Sequence, residues 1–119
     1  MVNQQEPLDQ LFAALADPSR RAMVDRLCSG PTTVSELARP LPMSLPAALQ
    51  HLRVLERSGL VVTRKVGRVR SCSLRPQALV TVQQWLGDRR ALWEQRFDRL
   101  GDLLAAEPTP PGPTPEETS

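Results

Sequence analysis

Apolar residues recur at helical spacing through the first part of the chain. Residues 8–16 carry them at positions i, i+3, i+4 and i+7, which predicts a short amphipathic helix. Its apolar face consists of Leu8, Leu11, Phe12 and Leu15. Asp17 and Pro18 fit the N-cap and first turn of a second helix, which we expect to end at Leu27 because Gly30 follows. The side chains expected to face inward from this helix are Ala22, Met23 and Leu27.

A second pair of helices is predicted in the middle of the chain. Thr33 and Glu36 have the spacing of a capping box, and Pro40 ends the helix that they begin. The apolar face of this helix is Val34, Leu37 and Ala38. Ser44 can cap a longer helix that stops before Gly59. Two helices joined by a tight turn, with the second in basic sequence, have the layout of a helix-turn-helix.

The pattern then changes from helix to strand. Residues 60–66 and 69–74 are rich in β-formers and are separated by Gly67 and Arg68, which predicts a hairpin. A basic hairpin directly after a helix-turn-helix is a wing. The predicted fold class is therefore mainly α with a small β-hairpin wing (α+β), a winged helix-turn-helix with four helices, two strands and a fifth helix.

A long helical pattern runs through residues 76–106. Its apolar positions are Leu79, Val82, Leu86, Trp93, Phe97, Leu100 and Leu104. About 30 residues at 1.5 Å each give roughly 45 Å, longer than a domain of this size covers by itself. We therefore expect this stripe to pack against a second copy of the chain, although Gly87 and Gly101 leave a break in the helix open.

The chain is about one domain long. We expect a flexible N-terminus at residues 1–6 and a winged helix-turn-helix domain at 7–106, with dimerisation helices at 8–16 and 76–106. The tail at 107–119 holds five prolines in thirteen residues and is predicted to be disordered. The residues assigned to the dimer interface are Leu8, Leu11, Phe12, Leu79, Val82, Leu86, Trp93 and Phe97.

Basic residues are concentrated in the middle of the chain. From Arg39 to Arg75 there are eight basic residues against one acid, Glu56, a net charge of +7. Residues 76–119 carry four bases and seven acids, a net charge of −3. Such segregation is typical of a phosphate-binding face, although a solvated basic surface gives the same count. All but one of the eight basic residues from Arg39 to Arg75 are arginines. This suits phosphate and guanine recognition and also follows from a GC-rich genome.

The helix after Ser44 divides by angle into two faces. Ala48, Leu52 and Leu55 form a core face. A separate arc contains Pro46, Gln50, Arg53 and Arg57. Gln50 can pair with adenine, Arg53 can reach guanine or phosphate, and Ser44 can offer its hydroxyl and nearby N–H groups to a phosphate. The complete predicted DNA-binding set is Ser44, Leu45, Pro46, Ala47, Leu49, Gln50 and Arg53, with Arg64, Lys65, Arg68 and Arg70 on the wing.

Four segments resemble the ArsR-type (ArsR/SmtB) winged-helix repressors. They are Leu-Ala-Asp-Pro-Ser-Arg-Arg at 15–21, Thr-Val-Ser-Glu-Leu-Ala at 33–38, residues 44–55, and Ser-Gly-Leu-Val at 58–61 followed by Gly-Arg at 67–68. The resemblance runs from about residue 8 to 100. It implies a homodimer built through the first and last helices, with two recognition helices on an inverted repeat in DNA. It also implies repression that a signal often relieves.

Two departures from the family pattern bear on recognition. Family members commonly carry polar residues at the positions of Leu45 and Leu49, so the base preference does not transfer there. These leucines lie on the border between the two faces of the helix, and two readings stay open: they widen the core stripe, or they touch thymine methyl groups. The wing positions of Ser71 and Cys72 are often aromatic in relatives, so the packing of the wing can differ.

Metal and thiol chemistry have few candidate residues. Metal-sensing members of the family place paired cysteines before the turn, or histidine and carboxylate ligands in the last helix. Here the equivalent helix has no cysteine and the last helix no histidine, which leaves Cys28, Cys72 and His51 on three different elements. We therefore expect no metal and no cofactor, a non-metal-sensing member, two buried or half-buried thiols, and a structural role for His51. A thiol switch at either cysteine remains an alternative.

Other function classes are weighed against DNA binding. The chain has no phosphate-cradling glycine loop, one histidine and no tyrosine, so we do not expect an enzyme. A winged-helix module that binds a protein, and a nucleoid protein that coats DNA, stay open. The sequence shows neither a signal peptide at its start nor about 20 consecutive apolar residues. The expected partners are double-stranded DNA and a second copy of the chain, without a membrane, in a bacterial cytoplasm at the nucleoid.

Overall fold

Helices and strands follow one another in nearly the predicted order. The computed structural model describes residues 5–106; residues 1–4 and the predicted tail at 107–119 lie outside it. The helices are α1 (Gln5–Leu15), α2 (Pro18–Leu27), α3 (Val34–Ala38), α4 (Leu45–Ser58) and α5 (Pro76–Ala106). The strands are β1 (Thr32–Thr33), β2 (Val61–Val66) and β3 (Val69–Leu74). The helix α1 begins at Gln5, so the last two positions of the predicted flexible N-terminus are helical.

The described chain forms two compact units, whose boundary in sequence falls within α5 between Gln84 and Trp85. The first unit contains α1 to α4, the strands and the start of α5; the second contains the rest of α5. The helix is continuous from Pro76 to Ala106, so neither glycine within it breaks the helix.

The sheet has one strand more than the sequence predicted. Its order is β1-β3-β2, and both pairings are antiparallel. The predicted hairpin is confirmed: Val66 pairs with Val69 across a two-residue turn in which Gly67 has a φ of +64°, a conformation that glycine adopts without strain. The additional strand β1 pairs Thr32 with Cys72. Because β1 is only two residues long, it has no alternation of apolar and polar positions from which a strand could be predicted.

The core of the first unit draws on all of its elements except β1. Its buried members are Leu11, Ala14, Met23, Val24, Leu27, Leu37, Leu52, Leu55, Leu60, Val61, Cys72 and Ala78. Two predicted orientations are corrected. Ala22 is exposed and Val24 takes its place in the core. Leu11, assigned to the dimer interface, is only 4% exposed because α1 packs on α2 and α4 within the protomer.

Arg20 on α2 links the end of α1 to α4. Its Nε donates to the carbonyl of Ala14 at 2.7 Å and its Nη2 to that of Ala13 at 3.0 Å, so it satisfies two carbonyls at the end of α1. Its Nη1 lies 3.1 Å from Nδ1 of His51 on α4. Since a guanidinium only donates, this histidine nitrogen accepts. The structural role predicted for His51 is confirmed: it links α4 to the junction of α1 and α2.

Replacing Asp17 by asparagine is expected to lower stability at neutral pH. The carboxylate caps α2 by accepting the Arg20 N–H at 3.0 Å. That hydrogen bond, with the positive charge of Arg20, holds the pKa of Asp17 below its ordinary value against the opposing effect of desolvation. A lowered folded-state pKa gives stability that is complete above the ordinary aspartate pKa and is lost as the pH falls through the folded value. The melting temperature of Asp17→Asn should therefore lie below that of the wild type at pH 7 and converge with it in acid.

The matched control for this measurement is Asp25→Asn, since Asp25 is an exposed aspartate on the same helix. It should not lower the melting temperature at either pH. A gap between Asp17→Asn and the wild type that keeps the same size at every pH would contradict the assigned role of the charge.

Candidate nucleic-acid interface

Helix α4 is placed by clear start and stop signals. Ser44 has extended backbone angles and its hydroxyl accepts the Ala47 N–H at 3.3 Å, while Gly59 ends the helix with a φ of +87°. The predicted core face is confirmed, because the most deeply buried side chains of α4 are Ala48, Leu52 and Leu55.

The opposite arc of α4 faces solvent. Pro46, Gln50, Arg53 and Arg57 are all exposed. Within residues 5–106, no hydrogen bond or ion pair engages the side chain of Gln50 or Arg53. An arginine and a glutamine held on one rigid helix face, with their donors and acceptors open, can reach the edges of bases in a major groove.

The first turn of α4 offers fewer donors than a helix N-terminus usually does. Pro46 has no N–H, and that of Ala47 is taken by Ser44. The N–H groups of Ser44 and Leu45 and the Ser44 hydroxyl have no acceptor among the described residues, so they remain for an external one. The phosphate contact at Ser44 stays a prediction.

The structure separates the two leucines on the border of the arc. Leu49 is partly buried and packs on the core, whereas Leu45 is 55% exposed. Both line a cleft of about 450 Å³ between α4 and the wing, which Val34, Arg68, Val69 and Arg70 also line. The core reading holds in part for Leu49, and Leu45 lies on the surface.

The basic residues of the wing lie on two faces. Since side chains alternate along a strand, Lys65 and Arg70, which are cross-strand partners, share the face of the buried Cys72. Arg64 shares the other face with Val66, and Arg68 lies in the turn between the strands. All four basic residues are exposed. The predicted basic wing thus exists as a structure with a cationic tip, two cations on one face and one on the other.

Glu56, the one acidic residue in the basic centre (Arg39 to Arg75), links α4 to the wing. Its Oε2 accepts the hydroxyl of Thr63 on β2 and lies 3.9 Å from Nη2 of Arg70 on β3. The same arginine nitrogen lies 3.4 Å from the Thr63 hydroxyl oxygen. The sequence did not predict this contact, because Glu56 entered only the count of net charge. The arrangement joins the two elements that carry the candidate DNA contacts.

A double-mutant cycle on Glu56→Ala and Thr63→Val should give a coupling free energy of about 1 kcal/mol, because the hydrogen bond is charged and partly shielded from water. Denaturant unfolding of the four proteins measures it. The control cycle uses Arg90 and Glu94, a solvent-exposed ion pair of 3.1 Å on α5, for which we expect about 0.3–0.5 kcal/mol. Coupling no larger than in the control would show that the bridge does not hold the wing.

The two cysteines lie in different surroundings. Cys72 is buried in β3, where its Sγ donates to the Thr32 carbonyl at 3.3 Å, and burial raises the pKa of its thiol. The expectation that both thiols are buried or half-buried is wrong for Cys28, which is exposed at the C-cap of α2. The apolar residue before it, Leu27, takes the inward position at the helix end. Among the described residues, no three histidine, cysteine or carboxylate side chains are grouped as metal ligands.

The described part of the second unit, residues 85–106, is helical and carries an exposed apolar stripe. Its members are Leu86, Trp93, Phe97, Leu100 and Leu104, each more than half exposed. They fall within roughly 60° of the helix surface at 100° per residue. Trp93 and Phe97 stack with ring centroids 5.3 Å apart. No helix in the described part of the chain combines the length and apolarity that crossing a membrane requires.

Comparisons with known proteins agree with this geometry. Residues 15–64 match a family profile described as a helix-turn-helix domain. The chain is 40% identical over 99 residues to the HTH-type transcriptional regulator Rv2034 of Mycobacterium tuberculosis, covering 83% of this chain and 90% of the relative. A crystal structure of an ArsR family transcriptional regulator matches with a TM-score of 0.73 and 47% identity, covering 79% of this chain and 97% of that one. An ArsR-like transcriptional regulator from Rhodococcus sp. RHA1 matches with a TM-score of 0.75 and 30% identity, covering 91% and 100%.

Proposed function

Because this chain belongs to the ArsR family of winged helix-turn-helix, DNA-binding transcriptional regulators, we propose that it is a repressor that binds an inverted-repeat operator as a homodimer. The observation that carries the proposal is the open arc of α4 with Gln50 and Arg53, which adjoins a wing of exposed cations. A protein that works on the chromosome acts in the bacterial cytoplasm, at the nucleoid.

The proposed docking places α4 in the major groove. Gln50 pairs with adenine and Arg53 with guanine or a phosphate, while Ser44, Pro46 and Ala47 lie at the end of the helix that enters first. The wing lies on the backbone or in the minor groove. Its phosphate contacts are Arg64, Lys65, Arg68 and Arg70. Arg70 is the weakest of these, because Glu56 lies 3.9 Å from it and offsets part of its charge.

The proposed dimer uses the surface that the protomer leaves apolar. On α5, Leu86, Trp93 and Phe97 are exposed, and Leu79 and Val82 are only partly covered by the core. On α1, Leu8 is partly exposed and Phe12 is 37% exposed. Leu11 is omitted, since it is buried in the protomer. A soluble protein that presents a stripe of this kind is expected to cover it with a partner, and an identical chain supplies the same stripe.

The decisive experiment is selection of bound DNA from a random duplex pool, followed by footprinting and by titration at several salt concentrations. We expect a discrete inverted repeat and an affinity whose logarithm falls linearly with the logarithm of salt concentration. Uniform protection of any DNA would indicate a nucleoid protein instead. Weak binding with little salt dependence would indicate a module that binds a protein.

We further propose that this member does not sense metals. The support is the sequence: α3 contains no cysteine and α5 no histidine, so the thiolate and imidazole ligands that soft metals require are lacking at both places. Operator affinity is therefore expected to stay the same with and without zinc, nickel or copper ions. A loss of affinity on adding one of them would overturn this assignment.

A further inference from the structure

The cleft between α4 and the wing has an apolar floor and a cationic rim. Four apolar side chains line it, namely Val34, Leu45, Leu49 and Val69, together with Thr33 and Ser35 at the start of α3. Arg68 and Arg70 line it from the wing, and among the described residues no carboxylate does. Leu45 and Val69 remain 55% and 51% exposed. Such a surface matches a partner that is anionic overall and presents a small apolar group.

Leu45 stands in the first turn of α4, at the end proposed to enter the major groove. A leucine side chain neither donates nor accepts a hydrogen bond, so it cannot read the polar edge of a base. The apolar group that the major groove displays is the C5-methyl of thymine. Arg53 lies eight residues further along α4, about 12 Å away and 80° round the helix, so it reaches polar edges at other base pairs of the same half-site.

We propose that Leu45 reads a thymine methyl group in each operator half-site, with the methyl lodged in the mouth of the cleft against Val69. This inference rests on the proposed function, because it takes the docking of α4 for granted. We assign the cleft to DNA on three grounds. Its rim is cationic, it is continuous with the open arc of α4, and the Leu45 side chain has no hydrogen-bonding group and so can contact only an apolar part of a base.

The contact is expected to make a small contribution to operator affinity. Burying one methyl group changes the affinity about four-fold, which is slightly more than half of a tenfold step. Removing the methyl from one half-site should weaken binding about four-fold, and removing it from both half-sites about fifteen-fold.

The test replaces single thymines of the selected operator by deoxyuridine, which deletes the C5-methyl and leaves the base-pairing edge intact. For the wild-type dimer we expect one position in each half-site to show the four-fold loss. Leu45→Ala should bind the thymine and the deoxyuridine operators equally. Because Leu45 is exposed, this variant keeps the fold, which circular dichroism checks. The matched control is Val66→Ala on the wing, 65% exposed and outside the cleft, and it should keep the discrimination.

Three results would overturn the inference. They are a half-site without thymine, deoxyuridine substitution without effect at every position, and discrimination that persists in Leu45→Ala. In each of them the wild type still binds a discrete site, so the proposed function stands and the cleft serves another occupant, such as a small amphipathic anion. Failure of the proposed function looks different, since no discrete site emerges from the selection at all.

Discussion

Trp93→Glu is expected to convert the proposed dimer into monomers and to weaken operator binding by roughly 100-fold or more. Trp93 is 63% exposed in the middle of the α5 stripe and stacks on Phe97. In a dimer joined through this stripe, the variant places a carboxylate in an apolar interface, which costs several kcal/mol unless the charge finds a partner. Sedimentation velocity measures the mass, and fluorescence anisotropy measures the affinity for the operator.

The loss of DNA affinity follows from valency rather than from any altered contact. Two recognition helices held in one molecule bind the second half-site at a high effective concentration, which adds a factor of 10²–10⁴ over a single module. A monomer forfeits that factor although α4 is unchanged. The two readouts should therefore move together, and an operator of one half-site should bind the variant and the wild type alike.

Gln95→Glu supplies the matched control. Gln95 is exposed on the same helix, two residues away and roughly opposite the stripe. The variant introduces the same charge only two residues further along α5. Wild-type mass and affinity are expected. If Trp93→Glu also sediments as a dimer, the interface lies elsewhere on the protomer.

Much of the fold follows from local signals that act within a few residues. Ser44 and Gly59 bound α4 because a side-chain cap and a left-handed glycine end a helix regardless of what surrounds it. Gly67 similarly defines the hairpin, and the 3.6-residue period defines α5. Each of these features affects stability through residues that are close in sequence. A single sequence is therefore enough to reveal it.

Features that depend on distant pairing could not be predicted in the same way. The strand β1 exists because Thr32 meets Cys72, 40 residues later. Arg20 meets His51 across 31 residues. Nothing in the spacing of either pair is unusual. Their positions depend on how the helices pack, and packing is decided by the whole core rather than by a local window.

The candidate site shows the same division. The open arc of α4 was predictable, because angle on a helix follows from number alone. The bridge from Glu56 to Thr63 was not, since it needs the wing folded back beside α4. The helix angle placed Leu45 and Leu49 on the border between the two faces, so it could not decide whether either is buried. The structure shows that Leu49 packs on the core and that Leu45 stays exposed.

Arg53→Ala is the second large effect that we expect: a loss of at least about 30-fold in operator affinity, without any change in mass or helix content. A good arginine contact to a base contributes about 1–3 kcal/mol. The homodimer makes the contact twice, so the loss is about 2 kcal/mol at the least. Because Arg53 is exposed and engages no other side chain within residues 5–106, its removal should leave stability unchanged.

Arg53→Lys distinguishes the two contacts that the position allows. Lysine keeps the charge but lacks the planar fork that grips a guanine at two points. If Arg53 reads guanine, the lysine variant should lose most of the affinity and relax the preference for that base pair in a repeated selection. If Arg53 binds a phosphate, lysine should restore most of the affinity and leave the selected sequence unchanged.

Arg99→Ala controls for the loss of charge itself. Arg99 is an exposed arginine of α5 that lies outside both the basic centre and the apolar stripe. Its removal should shift operator affinity less than about two-fold at 0.15 M salt, where charges further apart than about 8 Å are largely screened. Equal losses in Arg53→Ala and Arg99→Ala would mean that DNA responds to net charge alone. The docking of α4 in the major groove would then have to be abandoned.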